Sequence, residues 1–213
     1  MTHQFDSLIF DMDGTLWDAT DGYVKCWQIA LKKLNYPDII NRPILESVMG
    51  FEEKQLLAKL FPHYNSSEHR EIISAIKIAQ DNHLETFGGQ LYAGVAEGLQ
   101  QLSKHYRLFM LSNCFPNTIY QFLNVTNLSP FIEGHICYGE NPVPKSENIK
   151  LLQHKFDLKN TVYIGDTKGD GNQAALAAVP FVFMTYGFGK VDSYFQSFDQ
   201  FTDLVNYFID LKI

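Results

Sequence analysis

Four short stretches carry side chains that could do chemistry together: "DMDGT" with Asp11, Asp13 and Thr15; "LSN" with Ser112 and Asn113; "VPK" with Lys145; and "GDTKGD" with Asp166 and Asp170. Singly, each has an ordinary structural reading as an Asx-turn, a helix cap or a solvated lysine. All four, however, stand at the ends of predicted strands, and a parallel sheet brings strand ends distant in sequence to one edge. Three or four acidic oxygens meeting there require a cation. Carboxylate and carbonyl donors without His or Cys suit a hard ion, which makes Mg²⁺ the expected cofactor. A divalent ion also explains how Asp11 and Asp13, one residue apart, can coexist.

Electrostatics sets what such a group of residues would have to do for a phosphate ester. A carboxylate about 4 Å from each unit of phosphate charge is repelled by roughly 4 kcal/mol at an effective dielectric near 20. Mg²⁺ between the carboxylates and the phosphoryl oxygens, with the Lys145 ammonium and the Ser112 hydroxyl, would reverse that sign and stabilise the charge that spreads in the transition state.

The elements that must position these groups read as an alternation. Short apolar runs "SLIFDM", "YRLFMLSN", "HICYG", "TVYIGD" and "PFVFMTYG" are separated by helical patterns, which predicts βαβ units and a parallel sheet covered on both faces. "GVAEGLQQLSKHY" puts Val95, Leu99 and Leu102 on one helix face. "SENIKLLQHKF" does the same with Ile149, Leu152 and Phe156, behind an expected N-cap at Ser146. Between the first two runs, residues 17–88 look wholly helical and are too long for one crossover. The expected architecture is therefore α/β: a Rossmann-like catalytic core of residues 1–16 and 89–213, and an inserted all-helical cap, 17–88, with "GGQLYAG" as its return hinge.

Composition narrows the partners. The 213 residues carry a net charge of −7 with no run of Lys or Arg, so neither nucleic acid nor an anionic membrane is expected to bind. No apolar run approaches the roughly 20 residues of a membrane span, and the N-terminal residues have no export pattern. Cys26, Cys114 and Cys137 lack CxxC spacing, which fits free thiols in a reducing compartment. The expected setting is cytoplasmic, and the expected partner is a small-molecule phosphate ester.

At these motifs the sequence resembles the haloacid dehalogenase superfamily, within it the phosphoglycolate phosphatase-like group with a helical cap. "FDMDGTLWD", "LSN", Lys145 and "GDTKGD" occur in that family's order from Phe10 to Asp170. The resemblance implies Asp11 as the nucleophile that takes the phosphoryl group. It implies Asp13 as general acid and then base, its backbone carbonyl helping to hold Mg²⁺. Ser112, the Asn113 amide and Lys145 would bind phosphate; Asp11, Asp13 and Asp166 would form the metal shell; Asp170 would orient a metal-bound water or Lys145. Asp18, Asp21, Lys25, Arg42 and Lys54 are polar candidates in the cap. The sequence departs from the family pattern at Trp17 and Ala19, at Pro144 and Ser146 around the lysine, and at Ala178, where relatives often have Gly. A phosphomutase using the same intermediate, or a receiver-type phospho-acceptor module, is the alternative reading.

Overall fold

The structure, a computed structural model, describes residues 5–212. Strand β1 (Ser7–Phe10) leads into a two-residue strand β2 (Trp17–Asp18). Helices α1 (Thr20–Lys33), α2 (Arg42–Glu46), α3 (Glu53–Leu60) and α4 (Ser66–Phe87) follow, and β3 (Gln90–Leu91) closes this insertion. The chain then alternates through α5 (Val95–Leu102), β4 (Arg107–Ser112), α6 (Thr118–Thr126), a 3₁₀ turn (Ser129–Phe131), β5 (Gly134–Cys137), α7 (Lys145–Phe156), β6 (Thr161–Gly165), α8 (Lys168–Leu176) and β7 (Phe181–Met184). It ends with β8 (Gln196–Phe198) and α9 (Phe201–Asp210).

Six strands form one parallel sheet in the order β5-β4-β1-β6-β7-β8. Side chains alternate across it, as the two-residue period of a strand requires. Leu8 and Phe10 enter a core with α5, α6 and α9, whereas Ile9, Phe109, Leu111 and Tyr163 face α7 and α8. Every residue of β1 is buried, which is why it reads as an unbroken apolar run rather than an alternation. Chain order reverses at β1: β4 and β5 build outward on one side, β6 to β8 on the other. The crevice at that switch point is where such sheets bind ligands.

The insertion is anchored by a narrow neck. Trp17 and Asp18 pair antiparallel with Leu91 and Gln90. Gly88 takes φ +68°, and a Cβ on Gly89 would lie 2.7–2.9 Å from Trp17 and Ala19, so the "GGQLYAG" hinge depends on small residues where two chain passages cross. Beyond the neck α1 packs along α4, whose N-terminus is closed by an Asn65–Glu68 capping box. The buried residues of these helices, Trp27, Leu57, Ile72 and Ile76 among them, continue the apolar cluster of the sheet's α5/α9 face.

Two expectations are corrected. The N-cap of α7 is Pro144 rather than Ser146: Pro144 enters extended (φ −53°, ψ 149°), the helix begins at Lys145, and Ser146 lies in the first turn with its N–H donating to Gln173 Oε1 at 2.9 Å. The 17–88 interval is not wholly helical, because β2 occupies its first two residues. Ala178, just past the end of α8, takes φ +57°, in the left-handed region. That conformation costs a non-glycine residue about 1–2 kcal/mol, against about 0.5–1 kcal/mol for the extra unfolded-state entropy of glycine. Ala178→Gly is therefore expected to stabilise the fold by roughly 0.5–1 kcal/mol in urea denaturation. A loss of stability would contradict the backbone assignment.

Candidate active site

The ends of β1, β4 and β6 and the start of α7 deliver the motif residues to one point. Lys145, only 3% exposed, reaches Asp11 Oδ1 at 2.9 Å and Asp170 Oδ1 at 2.6 Å. It is the first residue of its helix, where the macrodipole disfavours a cation. The two carboxylates reverse that preference. Burial alone would push the Lys145 ammonium toward neutrality, but Asp11 and Asp170 outweigh it and hold the group charged, its pKa well above the ordinary lysine value.

Asp170 is saturated with donors. Oδ1 takes Lys145 and the Tyr163 hydroxyl at 3.3 Å, and Oδ2 takes the Thr167 N–H at 3.0 Å and its hydroxyl at 2.5 Å. The Thr167 N–H bond, with the Asp170 N–H donating back to the Thr167 hydroxyl at 3.1 Å, is the capping box of α8, so one residue closes a helix and fixes the lysine. Burial raises the Asp170 pKa, yet Lys145 and the Thr167 bonds overcome it, and the group titrates below the normal carboxylate range.

Asp11 and Asp166 are held differently. Asp11 is pushed up to about 6, chiefly by burial, with Lys145 opposing. Asp166 is raised well above the usual carboxylate range by burial and by the charges of Asp170 and Asp11. The Phe188 N–H donates to Asp166 Oδ2 at 2.7 Å. A Cβ on Gly14, itself at φ +83°, would stand 2.2 Å from that oxygen, and one on Gly187 would stand 2.4 Å from it. Only glycines let these two turns close on the carboxylate.

Asp11, Asp166 and Asp170 each place a carboxylate oxygen within 4.8 Å of the others. These three acids face one ammonium, so two negative charges stay uncompensated when all are ionised. An all-oxygen donor set with that deficit fits a hard divalent ion such as Mg²⁺. Because Asp170 already accepts four hydrogen bonds, Asp11 and Asp166 are the better-placed donors of the three.

Asp13 turns its side chain away from this cluster. Oδ1 accepts from the Trp17 indole at 3.0 Å and from the Tyr23 hydroxyl at 3.0 Å, and Oδ2 lies 3.2 Å from that hydroxyl. Burial and then the Asp11 charge raise it to about 7 against those two donors. Ser112 ends β4, buried, and accepts from the Cys114 N–H at 3.3 Å. The Asn113 side chain instead donates to the Gly50 carbonyl at 2.7 Å, a tie between the core and the helical insertion.

A pocket of about 80 Å³, continuous with solvent, opens over Asp11, Asp13, Ser112 and Asn113 and is roofed by the insertion. Cys114 lines it, but burial holds its thiol far above the ordinary cysteine value, which leaves it inert. None of Asp18, Asp21, Lys25, Arg42 or Lys54 lines it. Arg42 is instead bonded to Asp18, Asp21 and Glu46. Sequence reading missed Tyr23, Tyr163 and Thr167. The T-x-x-D spacing of Thr167 and Asp170 is a helix-start signature that could have been read; the two tyrosines carry no local signal.

The fold and this site together define a parallel α/β protein with a lysine-bridged acidic centre at the switch point of its sheet. A family model described as haloacid dehalogenase-like hydrolase matches residues 8–184, and the chain belongs to that family. It is 24% identical over 204 residues to a phosphoglycolate phosphatase of Aquifex aeolicus, covering 90% of each chain. It is 25% identical over 175 residues to the pyrophosphatase PpaX of Listeria monocytogenes, covering 80% of this chain and 78% of that one. Among solved structures, a haloacid dehalogenase-like family hydrolase from Streptococcus pneumoniae superposes with TM-score 0.83 at 20% identity, covering 98% of this chain and all of the other. A protein described as a predicted phosphatase from Clostridium acetobutylicum gives 0.84 at 18% identity, covering 97% and 99%. The chain is an enzyme of this hydrolase family whose curated relatives are phosphatases, and no helix among its described residues is long and apolar enough to cross a membrane.

The raised carboxylates make a signed prediction. Asp11 and Asp13 favour their protonated forms in the metal-free fold, so their contribution to stability is complete below about pH 4 and is lost as pH rises through 6 and 7. Metal-free protein should therefore melt at progressively lower temperature between pH 5 and pH 8, and the rise in melting temperature on adding Mg²⁺ should be larger at pH 8 than at pH 5. A Mg²⁺ effect independent of pH would contradict this electrostatic assignment.

Proposed function

We propose that this chain is a Mg²⁺-dependent phosphatase that hydrolyses a small phosphate monoester through an aspartyl-phosphate on Asp11. The observation that carries the reading is the convergence of Asp11, Lys145, Asp166 and Asp170, from three separate chain segments, beneath a pocket also lined by Asp13 and Ser112. Residues 1–16 and 89–213 form the catalytic core, and residues 17–88 act as the cap that excludes water over it.

Asp11 attacks phosphorus, the bond to the ester oxygen breaks, and Asp13 gives its proton to the leaving alcohol. Asp13 then takes a proton from water as that water attacks phosphorus. The Asp11–phosphorus bond breaks, inorganic phosphate leaves, and both residues return to their starting states. A carboxyl held near pH 7 suits both halves of this cycle, because it can lose and regain a proton at neutral pH. Tyr23 and Trp17 hold that carboxyl in place through both steps. Lys145 fixes the Asp11 carboxylate and offsets part of its charge as the phosphate approaches. Ser112 and the Asn113 backbone amide receive the transferring oxygens. Asp11, Asp166 and the Asp13 carbonyl would hold Mg²⁺, which would neutralise charge on the phosphoryl oxygens. Asp170 keeps Lys145 in position.

Names of the relatives, a phosphoglycolate phosphatase and a pyrophosphatase, support phosphate release over transfer to a second sugar. A cytoplasmic setting fits the three free thiols.

Asp11→Asn should lower kcat for an aryl phosphate by about 10³-fold or more, since an amide cannot form the covalent intermediate; turnover near the unsubstituted rate would refute the nucleophile. EDTA should abolish activity and excess Mg²⁺ restore it, in the same assay.

A further inference from the structure

The pocket above the site is asymmetric in charge. Three acids line it, Asp11, Asp13 and Glu53, and no Lys, Arg or His does. Its upper wall is apolar: Trp27 from α1, Leu45 from α2, Val48 and Phe51 from the α2–α3 linker, Leu56 from α3, and Phe115 beyond β4. The basic groups nearest to this wall are already engaged. Lys77 is bonded to Glu53 at 2.8 Å and stands over the Phe115 ring, Lys59 donates to the Ser47 carbonyl at 2.6 Å and stands over the Phe51 ring, and Arg42 meets three carboxylates.

One polar side chain in the wall is left for a ligand. Gln80 is at least nine-tenths buried and lines the pocket, and among the described residues its side-chain amide makes no hydrogen bond. Buried polar groups are ordinarily satisfied. An amide without a protein partner beside a cavity matches a ligand that brings a neutral donor or acceptor. The Thr118 hydroxyl, also without a partner, is closed off from solvent.

Resting on the phosphatase reading, we propose that the pocket selects a phosphate monoester whose leaving group is uncharged, mainly apolar, and carries a neutral hydrogen-bonding group met by Gln80. A leaving group with a carboxylate or a second phosphate is disfavoured. Its extra anion would be desolvated among Trp27, Leu45 and Phe51, beside Asp13, and the flanking ammoniums of Lys77 and Lys59 are already engaged by Glu53 and the Ser47 carbonyl. This separates the chain from its relatives by substrate, because phosphoglycolate and pyrophosphate both carry such a second anionic group.

The test compares three alkyl esters of similar intrinsic reactivity on the Mg²⁺-loaded full chain: benzyl phosphate, 4-carbamoylbenzyl phosphate and 4-carboxybenzyl phosphate. The two neutral esters should exceed the carboxylate in kcat/KM by about tenfold or more. Leu56→Lys, at a half-buried position in the wall, should narrow that ratio by bringing an ammonium to the pocket. A carboxylate turned over as well as the neutral esters, or a ratio unmoved by Leu56→Lys, would overturn the pocket assignment while leaving the phosphatase reading intact. No turnover of any ester would overturn the phosphatase reading, and this proposal with it.

Discussion

Everything at the site depends on one ammonium taken out of water. Lys145 lies almost completely buried between Asp11 and Asp170, and a lone charge there would be driven to neutrality by desolvation. The two carboxylates keep it ionised, and it orders them in return. Breaking such a set by removing one partner typically costs 3–5 kcal/mol, because an uncompensated charge stays behind. The surrounding fold is arranged to prevent that: Tyr163 and Thr167 fill the remaining acceptor positions of Asp170, so the lysine has one arrangement available.

The sheet makes this arrangement possible by topology rather than by proximity in sequence. Asp11 and Lys145 are 134 residues apart, yet the reversal of strand order at β1 brings their segments to one edge. A division of labour among the acids follows from what each touches. Asp170, saturated and titrating low, is a positioning group. Asp166, supported by Phe188 and the glycine turns, keeps capacity for an ion. Asp13, aimed at Tyr23 and Trp17, is poised near neutrality. The helical insertion contributes Tyr23 to that last environment, so it shapes the proton chemistry as well as roofing the pocket.

What could be read from sequence was what the local chain declares. Fully or largely buried parallel strands appear as apolar runs, so β1, β4, β6 and β7 were legible, as was β5 through its buried Ile136 and Cys137, and turn motifs at strand ends named Asp11, Asp166 and Asp170. Strand β8, three half-buried residues at the sheet edge, carries no such run. Helix α2 is a five-residue helix set by Asn41 and Pro43 and was equally silent. Lys145 was legible as a residue but not as a helix start, because a lysine at a first turn contradicts the dipole rule that sequence reading applies. Tyr23 and Tyr163 act through contacts between distant segments. No spacing or periodicity encodes them.

The central claim is that Lys145 and Asp170 bind each other while Asp11 and Asp166 remain to hold the ion. A crystal soaked in Mn²⁺, examined by anomalous scattering, tests it most directly. The account predicts one peak about 2.1 Å from oxygens of Asp11 and Asp166, the distance expected for small hard divalent ions, with the Lys145–Asp170 bond intact. A peak ligated by Asp170 in place of Asp166, or no peak at this cluster at saturating Mn²⁺, would contradict it.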